Sequence, residues 1–154
     1  MLVGIGNVDR EDDGVGQLVV QRLSQRHPSW PVLLVRQLLP ELVDQVANAP
    51  VLIFVDAATD LPPGDVQVSQ LASTTSDVSP GLGSHLLHPE PFMALLRLVA
   101  ATDREPCKAW CVRIGIERLG FGQTLSAPVA LAVARGVEQV ESLWGRWSAA
   151  EVDQ

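Results

Sequence analysis

The amino-acid sequence predicts a three-layer α/β sandwich, in which a mostly parallel central sheet of about five strands is flanked by helices. Three observations carry this expectation. Short apolar runs alternate with helix-period stretches along the whole 154 residues, and that alternation is the pattern of a parallel sheet covered by helices. The run Val51–Val55 is apolar at every position, as a strand buried on both faces requires. No repeat, low-complexity tract or linker divides the chain, so residues 1–154 read as one domain.

Each element has its own signal. Met1–Gly6 is a short apolar run closed by glycine and reads as a buried strand. Val15, Leu18, Val19 and Leu23 fall at helical spacing within Gly14–Arg26, and Pro28 follows the end of that stretch. Pro31–Arg36 reads as a second strand. Pro40–Ala49 reads as a helix, with Pro40 suited to its first turn and Leu42, Val43 and Val46 on one side. Val51–Val55 is the strongest strand and stops at Asp56. A loop with Pro62, Pro63 and Gly64 leads to Asp65–Leu71, whose alternation suggests an edge strand. Residues 72–84 are rich in Ser, Thr, Gly and Pro and read as a long surface loop. Pro89–Ala101 is a helix with Phe92, Leu95, Leu96 and Val99 as its buried stripe. Cys107–Ile114 is a further strand, and Pro128–Trp147 a long final helix.

Composition narrows the function classes. Hydrophobic residues make up 47% and charged residues 19%, which suits a packed core and excludes a disordered chain. A formal net charge of −7 repels phosphate backbones, so nucleic acid is not an expected partner. No apolar run reaches the ~20 residues of a membrane span, and the opening strand pattern leaves no visible signal peptide. Cys107 and Cys111 lie on one strand, where extended backbone separates them by roughly 13 Å and forbids a disulfide. Two free thiols suggest a reducing, cytoplasmic compartment.

In parallel α/β sheets, sites form beyond the carboxyl ends of the strands, and three segments place polar residues there. The first is the glycine-rich turn after the opening strand, Gly4-Ile-Gly-Asn7, followed by Asp9-Arg-Glu-Asp-Asp-Gly14. A dinucleotide would meet four carboxylates there, at Asp9, Glu11, Asp12 and Asp13, where its pyrophosphate should lie. Gly6 and Asn7 shape the turn, and Asp12 suits a helix-capping role, since acids favour a helix's first turn. These three are also the candidates for substrate contact beside the site. Asp56 ends a central apolar strand and must find water, donors or a cation. The third segment is Ser84-His85-Leu-Leu-His88-Pro89, just before a helix.

If the first and third strands are neighbours, Asp13 and Asp56 meet, and two carboxylates in one cleft call for a shared proton or cation. His85 would add a neutral nitrogen, with His88 as the alternative imidazole. Two oxygens and one nitrogen suit a divalent transition metal such as nickel or zinc.

Gly4-Ile-Gly-Asn7 with Asp12-Asp-Gly-Val-Gly16, Phe-Val-Asp56-Ala, and Ser84-His85 with Pro89 entering a Leu-rich helix together resemble the hydrogenase maturation proteases. Leu38-Leu-Pro-Glu-Leu42, Ile114-Gly-Ile-Glu117, Gly122 and Leu125-Ser126 extend the resemblance over nearly the whole chain. The resemblance implies a three-layer α/β fold and an endopeptidase. Such an enzyme cuts a C-terminal extension from the large-subunit precursor of a nickel–iron hydrogenase after nickel insertion. It also implies Asp13, Asp56 and His85 as catalytic residues and metal ligands, with nickel supplied by the substrate. Asp9 and Glu11 depart from the family pattern and would add negative charge beside the site. A monomer would suffice for an encounter with a large folded partner. The alternative is a checkpoint or chaperone that binds the nickel-loaded large subunit without cutting it.

Overall fold

The computed structural model describes residues 1–71, 88–99 and 107–152. The strands are β1 (Leu2–Ile5), β2 (Val32–Val35), β3 (Val51–Ala58), β4 (Val66–Gln70) and β5 (Lys108–Gly115), and the helices α1 (Val15–Arg26), α2 (Val43–Val46), α3 (Pro89–Val99) and α4 (Ala127–Val152). The strands form one sheet in the order β2-β1-β3-β5-β4. All neighbours are parallel except β4, which runs antiparallel to β5 at the edge. This is the mostly parallel five-stranded arrangement expected, and β4 is the edge strand that its alternation suggested.

The apolar run Val51–Val55 within β3 explains the layering. Val51, Ile53 and Val55 pack among α1 and α4 side chains such as Val19, Leu23, Val133 and Val137. Leu52 and Phe54 point the opposite way and pack with Val43, Phe92 and Leu96 of α2 and α3. Successive strand residues feed opposite faces, so the Val51–Val55 run anchors two cores, and the strand's one charged residue, Asp56, comes only after it. Phe54 and Phe92 meet edge to face with ring centroids 6.0 Å apart, which fixes α3 over this strand.

Two helix boundaries differ from expectation. The stretch from Pro40 is a 3-10 turn, Pro40–Leu42, followed by the single α-helical turn of α2. Only Val43 and Val46 are buried there, too little apolar surface to hold a longer helix. The last helix continues beyond Trp147 to Val152. Both cysteines are free, Cys111 buried and Cys107 half-buried just before β5. The expected loop 72–84, and the last two positions of the helix expected to run to Ala101, lie outside the described residues.

Candidate active site

β1 and β3 are neighbours, so the loops after their carboxyl ends open side by side. After β1 the chain reverses at Gly6, whose φ of 133° is closed to L side chains. A Cβ at this position would lie 1.8 Å from the Asp13 carbonyl oxygen. The acidic stretch Glu11–Gly14 then forms a 3-10 turn leading directly into α1. Gly16, in the first turn of α1, sits against the strand ends. A Cβ there would meet the Val55 and Ile5 carbonyl oxygens at 2.3 and 2.5 Å. These close approaches bring Asp13 alongside the carboxyl-terminal part of β3, which does not stop at Asp56 as expected but pairs on with β5 through Asp56 to Ala58.

Asp13 and Asp56 line one open cleft of about 680 Å³, together with Gly6, Asn7, Arg10 and His88. Asp13 Oδ2 accepts the Asn7 backbone N–H at 2.7 Å, and Asp56 Oδ1 accepts the Ala57 N–H at 2.9 Å. A second, more polar cleft of about 400 Å³ adjoins the first and shares Asp56, Ala57, Thr59 and His88 with it. Asp56 continues the Leu52–Phe54 face of β3, so its side chain emerges on the α3 side. His88 immediately precedes α3 and its carbonyl accepts the Phe92 N–H at 3.1 Å.

Burial pushes the Asp56 carboxyl from its usual 3.8 up to about 6. The Ala57 N–H pulls it back, the Asp13 charge raises it further, and the positive fields of His88 and Arg113 lower it. A carboxylate that burial and a like-charged neighbour both disfavour gains most from a cation beside it. The chemistry of this donor pair therefore fits a divalent metal ion brought into the cleft. His85, the expected nitrogen donor, and Ser84 lie outside the described residues. Among the described residues no three His, Cys, Asp or Glu side chains form a metal-holding group. His88, the alternative imidazole, is exposed and lines the cleft beside Asp56.

The remaining acidic residues have other tasks. Asp12 neither caps α1 nor reaches a substrate: it is 0% exposed, and neither the 3-10 turn nor α1 carries a side-chain cap. Its carboxylate accepts the backbone N–H groups of Glu117, Arg118 and Ser126 and the Ser126 hydroxyl at 2.7–3.0 Å. Burial raises the Asp12 carboxyl, but these four bonds outweigh it and hold the group below the usual range. Glu11 Oε2 accepts the Gly120 N–H at 2.8 Å, and its own N–H donates to the Gly122 carbonyl at 2.7 Å. Asp9 takes Gln123 Nε2 at 2.9 Å and pairs loosely with Arg36 at 3.4 Å. The two departures from the family pattern thus fasten the β5–α4 connection to the acidic turn, and neither lines the cleft.

Sequence reasoning did not single out Arg10, Arg36, Gln37 or Leu119, which line the cleft from three different loops. Arg10 Nη2 donates to the Leu119 carbonyl at 2.8 Å, and its guanidinium lies 5.0 Å from the centre of the Phe121 ring. Their common signal is position just beyond a strand end. Burial raises the Cys107 and Cys111 thiols to about 11 and about 12, so neither is poised as a thiolate nucleophile.

No protein-family model matches the chain, and no curated protein matches it. Solved structures do. The hydrogenase maturating endopeptidase HybD of E. coli is similar at a TM-score of 0.71 and 24% identity, over 94% of this chain and 91% of that one. The NiFe hydrogenase maturation protease HycI of Thermococcus kodakarensis KOD1 gives 0.67 and 20%, over 90% and 87%. A hydrogenase 2 maturation peptidase from a Thaumarchaeota archaeon gives 0.65 and 22%, over 94% and 96%. Over nearly its whole length, the chain has the fold of the hydrogenase maturation endopeptidases.

Proposed function

We propose that this chain is a site-specific endopeptidase that removes the C-terminal extension of a nickel–iron hydrogenase large-subunit precursor after nickel insertion. One observation carries the reading: Asp13 and Asp56 converge in a single open cleft at the strand ends, on a fold shared with hydrogenase maturation endopeptidases. The nickel is part of the substrate. Asp13, Asp56 and His85 would receive it, and recognition of the metal would place the scissile peptide beside the cleft. Catalysis would come first from this placement. Asp56, raised to about 6, has the proton affinity of a general base or acid working near neutral pH when it is free of the metal.

The test is to incubate the protein with a nickel-loaded precursor and with a nickel-free control, and to weigh the products. Loss of a C-terminal peptide from the loaded precursor alone is the expected result. Stable association with an intact precursor would instead favour the non-cutting checkpoint, and equal cutting of both precursors would remove nickel from the recognition step.

A further inference from the structure

The peptide between Gly6 and Asn7 presents its two ends to two different side chains. Its N–H, on Asn7, donates to Asp13 Oδ2 at 2.7 Å. Its carbonyl, on Gly6, accepts from Gln17 Nε2 at 2.7 Å. The same Nε2 also donates to the Val35 carbonyl at 3.0 Å, which already accepts the Gly6 N–H at 3.0 Å. Both partners of the Gln17 amide are carbonyl oxygens, so only its NH2 end fits there.

This arrangement matters because Gly6 lies at φ 133°. Glycine crosses between backbone regions at little steric cost, so the peptide that follows it can rotate and turn its N–H away from Asp13. Fastening the carbonyl end prevents that rotation. Gln17 can reach it because Gly16 lets α1 settle on the Ile5 and Val55 carbonyls, which brings the first turn of the helix to the ends of β1 and β2. Hydrogen bonds in series also polarise one another, so the Gln17 bond strengthens the Asn7 N–H as a donor.

We propose that Gln17 is a positioning residue for Asp13, acting through the Gly6–Asn7 peptide; the consequence for processing rests on reading Asp13 as part of the working site. Gln17 thereby holds Asp13 Oδ2 against the Asn7 N–H, with Asp13 at the wall of the cleft. Gln17 itself does not line the cleft. Its removal therefore loosens the aim of Asp13 without changing the surface that the partner meets.

The experiment follows the Asn7 backbone amide by nuclear magnetic resonance in four proteins: wild type, Asp13→Asn, Gln17→Met and the double variant. Methionine keeps the length of glutamine and donates nothing. In the wild-type background Asp13→Asn should move the Asn7 proton clearly upfield, because a charge-assisted bond becomes a neutral one. In the Gln17→Met background the same substitution should move it little, since the bond is already released. Equal shifts in both backgrounds, or no shift in the wild type, overturn the proposal.

Gln17→Glu, equal in shape but only an acceptor, should behave as Gln17→Met does. If neither variant folds, protection of the wild-type Gln17 side-chain amide protons from solvent exchange decides: fast exchange of both overturns the proposal. In the processing assay Gln17→Met should lower kcat by about 10- to 100-fold and leave KM unchanged, whereas a rise in KM alone would contradict a positioning role. Failure of the wild type to process any precursor would defeat the endopeptidase reading, and the Asn7 amide would still report on Gln17.

Discussion

At Asp12 four donors converge on one fully enclosed carboxylate, whereas Asp13, the next residue, accepts one backbone N–H among the described residues and lines a cleft. Two adjacent identical residues should therefore fail in opposite ways. Asp12→Ala leaves three N–H groups and a hydroxyl buried without partners, at a cost of about 3–5 kcal/mol. Urea midpoints should show the loss directly, and a change of less than ~1 kcal/mol would mean that water replaces the carboxylate. Asp13→Ala gives up one hydrogen bond and relieves the repulsion on Asp56, so it should stay within about 1 kcal/mol of wild type while abolishing processing of a nickel-loaded precursor. Full processing by that variant would sink the assignment. Asp13 and Asp56 were legible in the sequence because each follows an apolar run, although β3 continues past Asp56 to Ala58. The task of Asp12 was not, because its partners lie 105 to 114 residues away, and an acid at a helix start reads as a cap until its partners are known. Gln17 was hidden for the same reason, since an amide in a helical first turn shows nothing of the carbonyls it will meet.

Among the elements, α1 is the one whose placement the site depends on. Its contact with the sheet is backbone to backbone at Gly16, where a methyl group would meet the Val55 and Ile5 oxygens at 2.3 and 2.5 Å. Backbone cannot move aside as a side chain can, so Gly16→Ala must lift the start of α1. Overpacking of this kind costs about 1–3 kcal/mol, although alanine is by itself the better helix former. The expected outcome is a lowered melting temperature together with a larger fall in processing, because Gln17 lies in this turn and Asp13 in the 3-10 turn that leads into it. A fall in melting temperature with full processing would show that the start of α1 has slack. Element types were legible from apolar patterning, as the unbroken run Val51–Val55, split between two cores, illustrates. Lengths were less so. The pattern Leu42, Val43, Val46 suggested a full helix, but a single turn satisfies it, and Pro50 precedes β3 too closely for much more. The start of α4 depends on a distant residue: Ser126 gives its hydroxyl to Asp12 and its carbonyl to the Ala130 N–H.

Over the whole molecule, the strand order determines which charges share a cleft, and stability should record that sharing as a dependence on pH. Asp56 is raised from 3.8 to about 6, chiefly by burial. Between those values the folded chain binds more protons at this residue than the unfolded chain does. Stability from this source therefore falls as pH rises through the window, and the penalty is fully present above it. A rise of this size corresponds to a penalty on the order of 3 kcal/mol. Asp12 acts in the opposite sense: its carboxyl is lowered, so its contribution is present above the usual carboxylate range and is lost as pH falls through the folded value. The two trends overlap in the wild type, and a single stability curve cannot separate them. A difference between two proteins can, because Asp12 is common to both. Asp56→Asn keeps the oxygen that accepts the Ala57 N–H and removes the charge that burial and Asp13 disfavour. Its urea midpoint should match wild type near pH ~4 and exceed it increasingly up to pH ~7, with no further gain above. The same substitution should abolish processing, since a neutral amide is a weak metal ligand and no general base. Parallel stability curves from pH ~4 to ~7 would mean that Asp56 is better solvated than its position within β3 implies, and the case for a cation-seeking cleft would weaken with it.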